Sequence, residues 1–187
     1  MKNIIYSLVL VLFAQWSLIT DNCLCQWTHT SYFPESGYAL ASTTGSRVYA
    51  GSYKWGVFVT TDNGTNWTQT SLVGPNGNDS VMIDAIAANG NYIYAGDNGW
   101  IYGVHVSTDY GTTWTRALVT EPIISLAVSG SIVYAGAYGT GVFRSTNNGL
   151  NWSQTSLCGQ YVNALSISGT NLFAGTTDNG VYITTNS

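Results

Sequence analysis

Thr60-Thr61-Asp62-Asn63-Gly64-Thr65-Asn66-Trp67 is the stretch on which the fold turns. It recurs as Ser107-Thr108-Asp109-Tyr110-Gly111-Thr112-Thr113-Trp114 and as Ser145-Thr146-Asn147-Asn148-Gly149-Leu150-Asn151-Trp152. The shared frame is Ser/Thr-x-Asp/Asn-x-Gly-x-x-Trp. An apolar run precedes each copy: Gly56-Val57-Phe58-Val59, Gly103-Val104-His105-Val106 and Gly141-Val142-Phe143-Arg144. A Trp followed by Thr or Ser closes each one. The pattern predicts strand, turn, strand.

Each fixed position has a physical task. Asp62, Asp109 and Asn147 can accept hydrogen bonds from backbone N–H groups a few residues on. Thr60, Ser107 and Ser145 offer a second local bond through their hydroxyls. Gly64, Gly111 and Gly149 supply a backbone conformation with positive φ. Trp67, Trp114 and Trp152 bring a large apolar area with one N–H to satisfy, and are expected to anchor the hairpin in a core. A calcium loop shares the Asp-x-x-Gly spacing. Asn147 breaks the acidic series, however, and no acidic ligand follows at a useful distance. No metal and no cofactor is expected.

This frame resembles the Asp-box, or BNR, repeat of sialidases, sortilin-type receptors, xyloglucan-degrading hydrolases and photosystem assembly factors. The resemblance implies a β-propeller in which the box joins the third and fourth strands of a blade. It implies a fold far more than an activity.

Repetition supports that architecture. Trp27, Trp67, Trp114 and Trp152 stand roughly 40 residues apart, the length of a four-stranded unit. First strands pass through Ala39-Leu40-Ala41, Ala85-Ile86-Ala87, Leu126-Ala127-Val128 and Leu165-Ser166-Ile167. Turns at Gly45, Gly90, Gly130 and Gly169 lead into second strands at Val48–Gly51, Ile93–Gly96, Val133–Gly136 and Leu172–Gly175. Strands two and three are apolar on both faces, as a sheet packed between two others requires. The expected fold is all-β: a β-propeller of four-stranded antiparallel blades, three complete and a fourth partial, as a fragment of a larger propeller. The last residues, Thr184-Thr185-Asn186-Ser187, begin a further box. The Trp27 strand, as the fourth strand of the last blade, is the other way to read that end.

Of the 187 residues only 7% are charged, and the formal net charge is −4. That argues against a nucleic-acid partner, which needs a basic face. Lys2 followed by the apolar stretch Ile4 to Phe13 reads as a secretory leader. The stretch is too short for a transmembrane span. Cys23 and Cys25 are small residues placed for cleavage before Gln26. The expected division is 1–25 leader and 26–187 propeller blades, secreted, periplasmic or at a cell surface. After such cleavage Cys158 is the sole cysteine and is expected to be a small, partly buried side chain.

Function is sought where loop lengths vary. Turns one-to-two are uniform, and so are the boxes. The two-to-three loops and the connections between blades carry the variation. Tyr53, Trp55, Asp97, Trp100, Tyr138 and Asp178 lie there, with Asp79, Asp84 and Glu121 near the same end. Aromatic faces beside acidic and amide groups could stack on sugar rings and bond their hydroxyls. The leading expectation is a non-catalytic propeller binding a glycan or protein partner. The alternatives are part of a glycoside hydrolase, or an assembly or scaffold factor. A sialidase needs three converging arginines, but Arg47, Arg116 and Arg144 occupy unlike positions. A xyloglucanase-like site needs two carboxylates at a suitable separation, and spacing alone selects no pair. His105 replaces Phe58, Phe143 and Tyr182 in their slot, and is read as core.

Overall fold

A computed structural model of the chain describes residues 29–30, 33, 36–73, 80–99, 101–118 and 121–185. Two compact units are distinguished, Met1–Thr30 and Ser31–Ser187. The leader, Trp27, Asp79, Trp100 and Asn186 lie outside the described residues.

All regular structure among the described residues is β. Blade one comprises β1 (Gly37–Ser42), β2 (Val48–Ser52), β3 (Val57–Thr60) and β4 (Thr68–Gln69). Blade two comprises β5 (Ile83–Asn89), β6 (Tyr92–Asp97), β7 (Gly103–Ser107) and β8 (Thr115–Leu118). Blade three comprises β9 (Ile123–Ser129), β10 (Ile132–Ala137), β11 (Gly141–Ser145) and β12 (Ser153–Cys158). Blade four holds β13 (Val162–Ser168), β14 (Asn171–Thr176) and β15 (Gly180–Thr184). Each sheet is an antiparallel meander in sequence order. First strands β1, β5, β9 and β13 pack in succession, so they form the inner edge of the array. This is the propeller expected, with three full blades and a three-stranded fourth.

The register repeats. Phe58, His105, Phe143 and Tyr182 pair with Ala50, Ala95, Ala135 and Ala174. His105 is buried at 3% exposure, the core position expected of it. Second-strand Tyr49, Tyr94 and Tyr134 are each 2% exposed or less. Burying a ring of that size is worth about 1.5–3 kcal/mol.

The box is a closed set of hydrogen bonds. In blade two, Ser107 Oγ donates to Asp109 Oδ1 (2.8 Å) and accepts from Gly111 N–H (2.8 Å). Asp109 Oδ1 also accepts from Thr113 N–H (2.8 Å), and Oδ2 accepts from the Thr113 hydroxyl (2.6 Å). Thr60 and Asp62 repeat this with Gly64 and Asn66 in blade one. Ser145 and Asn147 repeat it with Gly149 and Asn151, through the Asn147 Oδ1 alone. An amide oxygen makes both of the bonds that matter, so Asn147 serves without a negative charge. Among the described residues no group of His, Cys, Asp and Glu side chains could hold a metal.

The backbone carries one feature the glycine alone did not reveal. Asn63, Tyr110 and Asn148, each just before the box glycine, have φ of 57°, 60° and 56°. Two left-handed residues in a row tighten the turn. Asn tolerates this, but Tyr does so at a cost. Tyr110 is held by its surroundings. Its carbonyl accepts from Tyr49 Oη (3.1 Å), its N–H donates to Asn91 O (3.1 Å), and Arg47 lies over its ring at 4.4 Å.

Those contacts reveal how blades join. The boxes of blades two and three sit on the tyrosine of the blade before. A Cβ on Gly111 would lie 3.5 Å from the Tyr49 ring, and one on Gly149 would lie 3.1 Å from the Tyr94 ring. Trp114 packs against the buried cluster that includes Tyr49, Val57 and Leu72, and Trp152 against the one that includes Tyr94, Val104 and Leu118. Both indoles return their N–H to their own box glycine carbonyl, at 3.1 and 2.9 Å. At the other end of each interface the second-strand glycine lets the next blade in. A Cβ on Gly51, Gly96 or Gly136 would approach Ile83, Ile123 or Val162 to 2.5–2.8 Å.

Two expectations are corrected. Strands two and three are not apolar-buried in every blade, because β15 is exposed throughout and β14 only half buried. Among the described residues no following blade covers them. Cys158 is exposed, not partly buried, because it falls on the outward side of the alternating strand β12.

Ser107→Ala removes an acceptor from a buried N–H and a donor from Asp109, and is expected to cost about 1–3 kcal/mol in denaturant unfolding. Asp109→Asn is expected to fold normally, as the third box does. The bonds from Thr113 and Ser107 hold the Asp109 carboxyl at about 2, and those from Asn66 and Thr60 lower Asp62. A depressed native value means stability is present above the unfolded carboxylate range and lost as pH falls through the native one. Between about pH 4 and about pH 2, the Asp62→Asn/Asp109→Asn double variant is expected to show a flatter fall in stability than the parent. An equal fall in both would remove the two carboxylates as its cause.

Candidate functional site

The two ends of the blades differ in construction. At one end the boxes meet the one-to-two turns: Tyr110 N–H donates to Asn91 O and Asn148 N–H to Ser131 O. At the other end a single bond recurs in all four blades. The residue after strand two donates its N–H to the residue before strand one: Tyr53 to Ser36, Asn98 to Met82, Tyr138 to Pro122 and Thr177 to Tyr161, at 2.9–3.2 Å. The two-to-three loops and the interblade connections therefore share one end, as their length variation implies.

That end is stitched between neighbours. Trp55 and Val81 form a parallel bridge. Val81 N–H donates to Lys54 O, and Gly56 N–H donates to Val81 O. Asn179 Nδ2 donates to Gln160 Oε1 at 2.7 Å. Side chains on these loops stand on fixed backbone.

Two tyrosine pairs rise from it. Tyr38 and Tyr53 are 54% and 47% exposed, with ring centroids 5.8 Å apart. Tyr138 and Tyr161 are 56% and 41% exposed, edge to face at 4.7 Å. Half-buried Trp55 carries Lys54 Nζ over its ring at 5.3 Å. Asp178 is exposed beside Asn179. Thus Tyr53, Trp55, Tyr138 and Asp178 lie at the expected end. Sequence reasoning missed Tyr38 and Tyr161. The signal available was Tyr161's place, directly before a first strand and level with Met82 and Pro122.

Asp97 is not part of that surface. It is fully buried, and its Oδ1 accepts from Gly99 N–H at 2.6 Å. Ser52 and Thr176 stand at the same position and cap the same loop, accepting from Trp55 N–H and Asn179 N–H. Asp97 Oδ2 lies 3.6 Å from His105 Nε2, which is 3.2 Å from Ile101 O. Neighbouring Asp84 is half buried. Burial raises its carboxyl above the usual range, the Asp97 charge adds to that, and the Asn98 Nδ2 bond at 2.8 Å opposes it.

The arginines do not converge. Arg47 lies on Tyr110 at the box end, Arg116 donates to Tyr102 O at 3.0 Å, and Arg144 donates to Tyr134 Oη at 3.1 Å. Each guanidinium is committed to a different tyrosine. The described residues bring no arginine cluster to the variable end.

No protein-family model and no curated protein matches the sequence. Solved structures do. A computationally designed protein, Ika4, aligns with TM-score 0.70 at 16% identity, covering 87% of this chain and 99% of that one. The GH74 xyloglucanase of Xanthomonas campestris aligns with TM-score 0.70 at 16% identity, over 86% of this chain and 31% of that one. YCF48 bound to D1 peptide aligns with TM-score 0.61 at 14% identity, over 82% of this chain and 53% of that one. The chain therefore spans less than a third of the xyloglucanase and about half of YCF48. At these identities the likeness is one of fold alone, that of a β-propeller.

Asp97→Ser reproduces the cap of blade one and is expected to leave unfolding unchanged within about 1 kcal/mol. Asp97→Ala leaves Gly99 N–H without its acceptor and is expected to be the less stable of the two in the same denaturation assay.

Proposed function

We propose that this chain is a non-catalytic, secreted or surface β-propeller that takes a carbohydrate or protein ligand across its variable-loop end. The observation that carries the reading is the pair of exposed tyrosine ledges, Tyr38 with Tyr53 and Tyr138 with Tyr161, on hydrogen-bonded loops. Aromatic faces held in place offer large contact area at little entropic cost. Trp55 and the amide groups of Asn163 and Asn179 lie at the same end and suit hydroxyl-rich or peptide ligands. That YCF48 was solved with a peptide supports the protein-binding version. No helix among the described residues is long and apolar enough to cross a membrane.

The hydrolase alternative has one supporting observation, the raised Asp84 carboxyl, which fits a general acid. Neighbouring Asp97 does not suit the second role, because it is buried and spends one oxygen on Gly99. A retaining or inverting pair needs both groups open to the substrate.

A glycan array and an affinity capture, each run with the parent and with Tyr53→Ala, Trp55→Ala, Trp100→Ala and Tyr138→Ala, test the proposal. The expected result is a ligand for the parent and a loss of roughly tenfold or more in the tyrosine variants, with unchanged melting temperatures. Undiminished binding by both tyrosine variants overturns the site. Release of reducing sugar from a bound glycan overturns the non-catalytic reading.

A further inference from the structure

The first strand of every blade carries the same irregularity. Opposite strand two its register skips one residue: Tyr38 in β1, Asp84 in β5, Ile124 in β9 and Asn163 in β13. A bulged residue is left out of the ladder, and its side chain is re-aimed out of the strand's alternation. On either side of the bulge stand small or aliphatic residues in all four blades, Gly37, Ile83, Ile123 and Val162 before it and Ala39, Ala85, Ser125 and Ala164 after it. The bulged residue alone changes class from blade to blade: an aromatic, an acid, an aliphatic and an amide.

Each bulge lies at the variable-loop end. The residue two before it accepts the recurrent backbone bond from the residue after strand two. In three blades the side chain of that donor meets the bulged one. The Tyr38 and Tyr53 rings lie 5.8 Å apart, Asn98 Nδ2 donates to Asp84 Oδ2 at 2.8 Å, and Asn163 Nδ2 donates to Thr177 Oγ1 at 2.9 Å. In blade three, Ile124 and Tyr138 hold the same two positions, and Tyr138 meets Tyr161 edge to face. Aromatic faces thus stand in blades one and three, and amides in blades two and four.

The amides point to a ligand class. In both, Nδ2 is turned to its partner, which leaves the amide carbonyl oxygen as the group on offer. Asp84 Oδ2 is taken by Asn98 and its Oδ1 is buried, so this acid fixes the amide beside it. The described cations are committed elsewhere: Arg47, Arg116 and Arg144 to three different tyrosines, and Lys54 over Trp55. Carbonyl acceptors without cations suit hydroxyl donors and disfavour carboxylates and sulfates. An extended peptide binds through main-chain bonds, and the N–H groups after strand two are already spent within each blade. A sugar chain needs no such bonds, and it presents C–H faces to aromatic rings.

We propose that the bulged residues and their partners form one row of subsites for a neutral oligosaccharide. The aromatic pairs of blades one and three lie beneath sugar faces, and the amides Asn98 and Asn163 accept from sugar hydroxyls. This rests on the reading of the variable-loop end as a ligand surface, and gives that surface its ligand class and its polar contacts. First strands pack in succession along the inner edge of the array, so the four bulges follow one another from blade to blade. Tyr38 is 54% exposed and Asn163 is exposed, so each can be changed without opening a core.

The test measures binding by the full chain to neutral hexasaccharides of glucose, mannose and galactose, beside oligogalacturonate and a random peptide library. The expected result is binding of a neutral hexasaccharide, weakened roughly tenfold or more by Tyr38→Ala and by Asn163→Ala, at unchanged melting temperature. Tyr38→Phe is expected to bind as the parent does, because the ring face and not the hydroxyl makes the contact. A neutral sugar bound equally well by both alanine variants overturns the row and leaves the Tyr53 and Tyr138 surface standing. Preference for the uronate or for peptides overturns the ligand class and leaves that surface standing too. No binding to any of the three probe classes overturns the proposal together with the reading beneath it. Where an alanine variant does not fold, the side-chain amide NMR signals of Asn98 and Asn163 in the parent read the same contact. They are expected to shift on titration with the hexasaccharide, and signals that stay in place overturn the assignment.

Discussion

One hydroxyl governs this molecule, repeated three times. Thr60, Ser107 and Ser145 are buried, and each collects the N–H of a glycine four residues on while donating to the acid or amide two residues on. A buried N–H without an acceptor costs about 1–3 kcal/mol, so the bond is needed for the turn to bury at all. With the turn closed, the glycine presents a bare backbone to the tyrosine of the preceding blade. In blades two and three the indole then folds back onto its own glycine carbonyl, and the hairpin end becomes a compact plug. Sheet stacking follows from that plug, because in blades two and three it rests on the second-strand tyrosine of the preceding blade.

The same constraint divides the molecule in two. At the box end the hydroxyl, the acid or amide and the turn N–H groups bond within the box or to the neighbouring turn. Nothing there is free to vary without loosening a blade. The opposite end needs only one backbone bond per blade to hold the two-to-three loop, and a backbone bond places few demands on side chains. Tyr53, Asn98, Tyr138 and Thr177 all donate it, and they have little else in common. Sequence is released there, so the chemistry that differs from blade to blade collects at that end. Asp97 shows the limit of that freedom: it is a loop residue, yet it repeats the capping task of Ser52 and Thr176 in a buried position.

Much of this was legible in the residues, because the repeats speak for each other. The box, the four-strand unit, the alignment of His105 with Phe58 and Phe143, and the two unlike ends all follow from comparing one copy with the next. What stayed hidden belongs to contacts between copies. Nothing in Tyr110 announces a left-handed backbone, since a tyrosine is a poor choice there. The Tyr49 hydroxyl, the Asn91 carbonyl and the Arg47 guanidinium grip it and make it workable. The crowding at Gly51, Gly96 and Gly136 comes from Ile83, Ile123 and Val162, each a blade away. Cys158 and Asp97 were misjudged for the reverse reason. Their outward and inward directions are set by strand pleat and loop capping, and composition records neither. Tyr38 and Tyr161 gain meaning only beside Tyr53 and Tyr138, their partners across a loop.

The dependence of each plug on the tyrosine before it has a direction. Blade two's box rests on blade one, and blade three's box rests on blade two. A polypeptide that emerges amino end first delivers each platform ahead of the piece that needs it. Consolidation can therefore keep pace with emergence, one sheet at a time, and the exposed apolar length at any moment stays near that of a single repeat. For a chain with so few charges to keep it dispersed, that ordering is a safeguard against sticking to its neighbours.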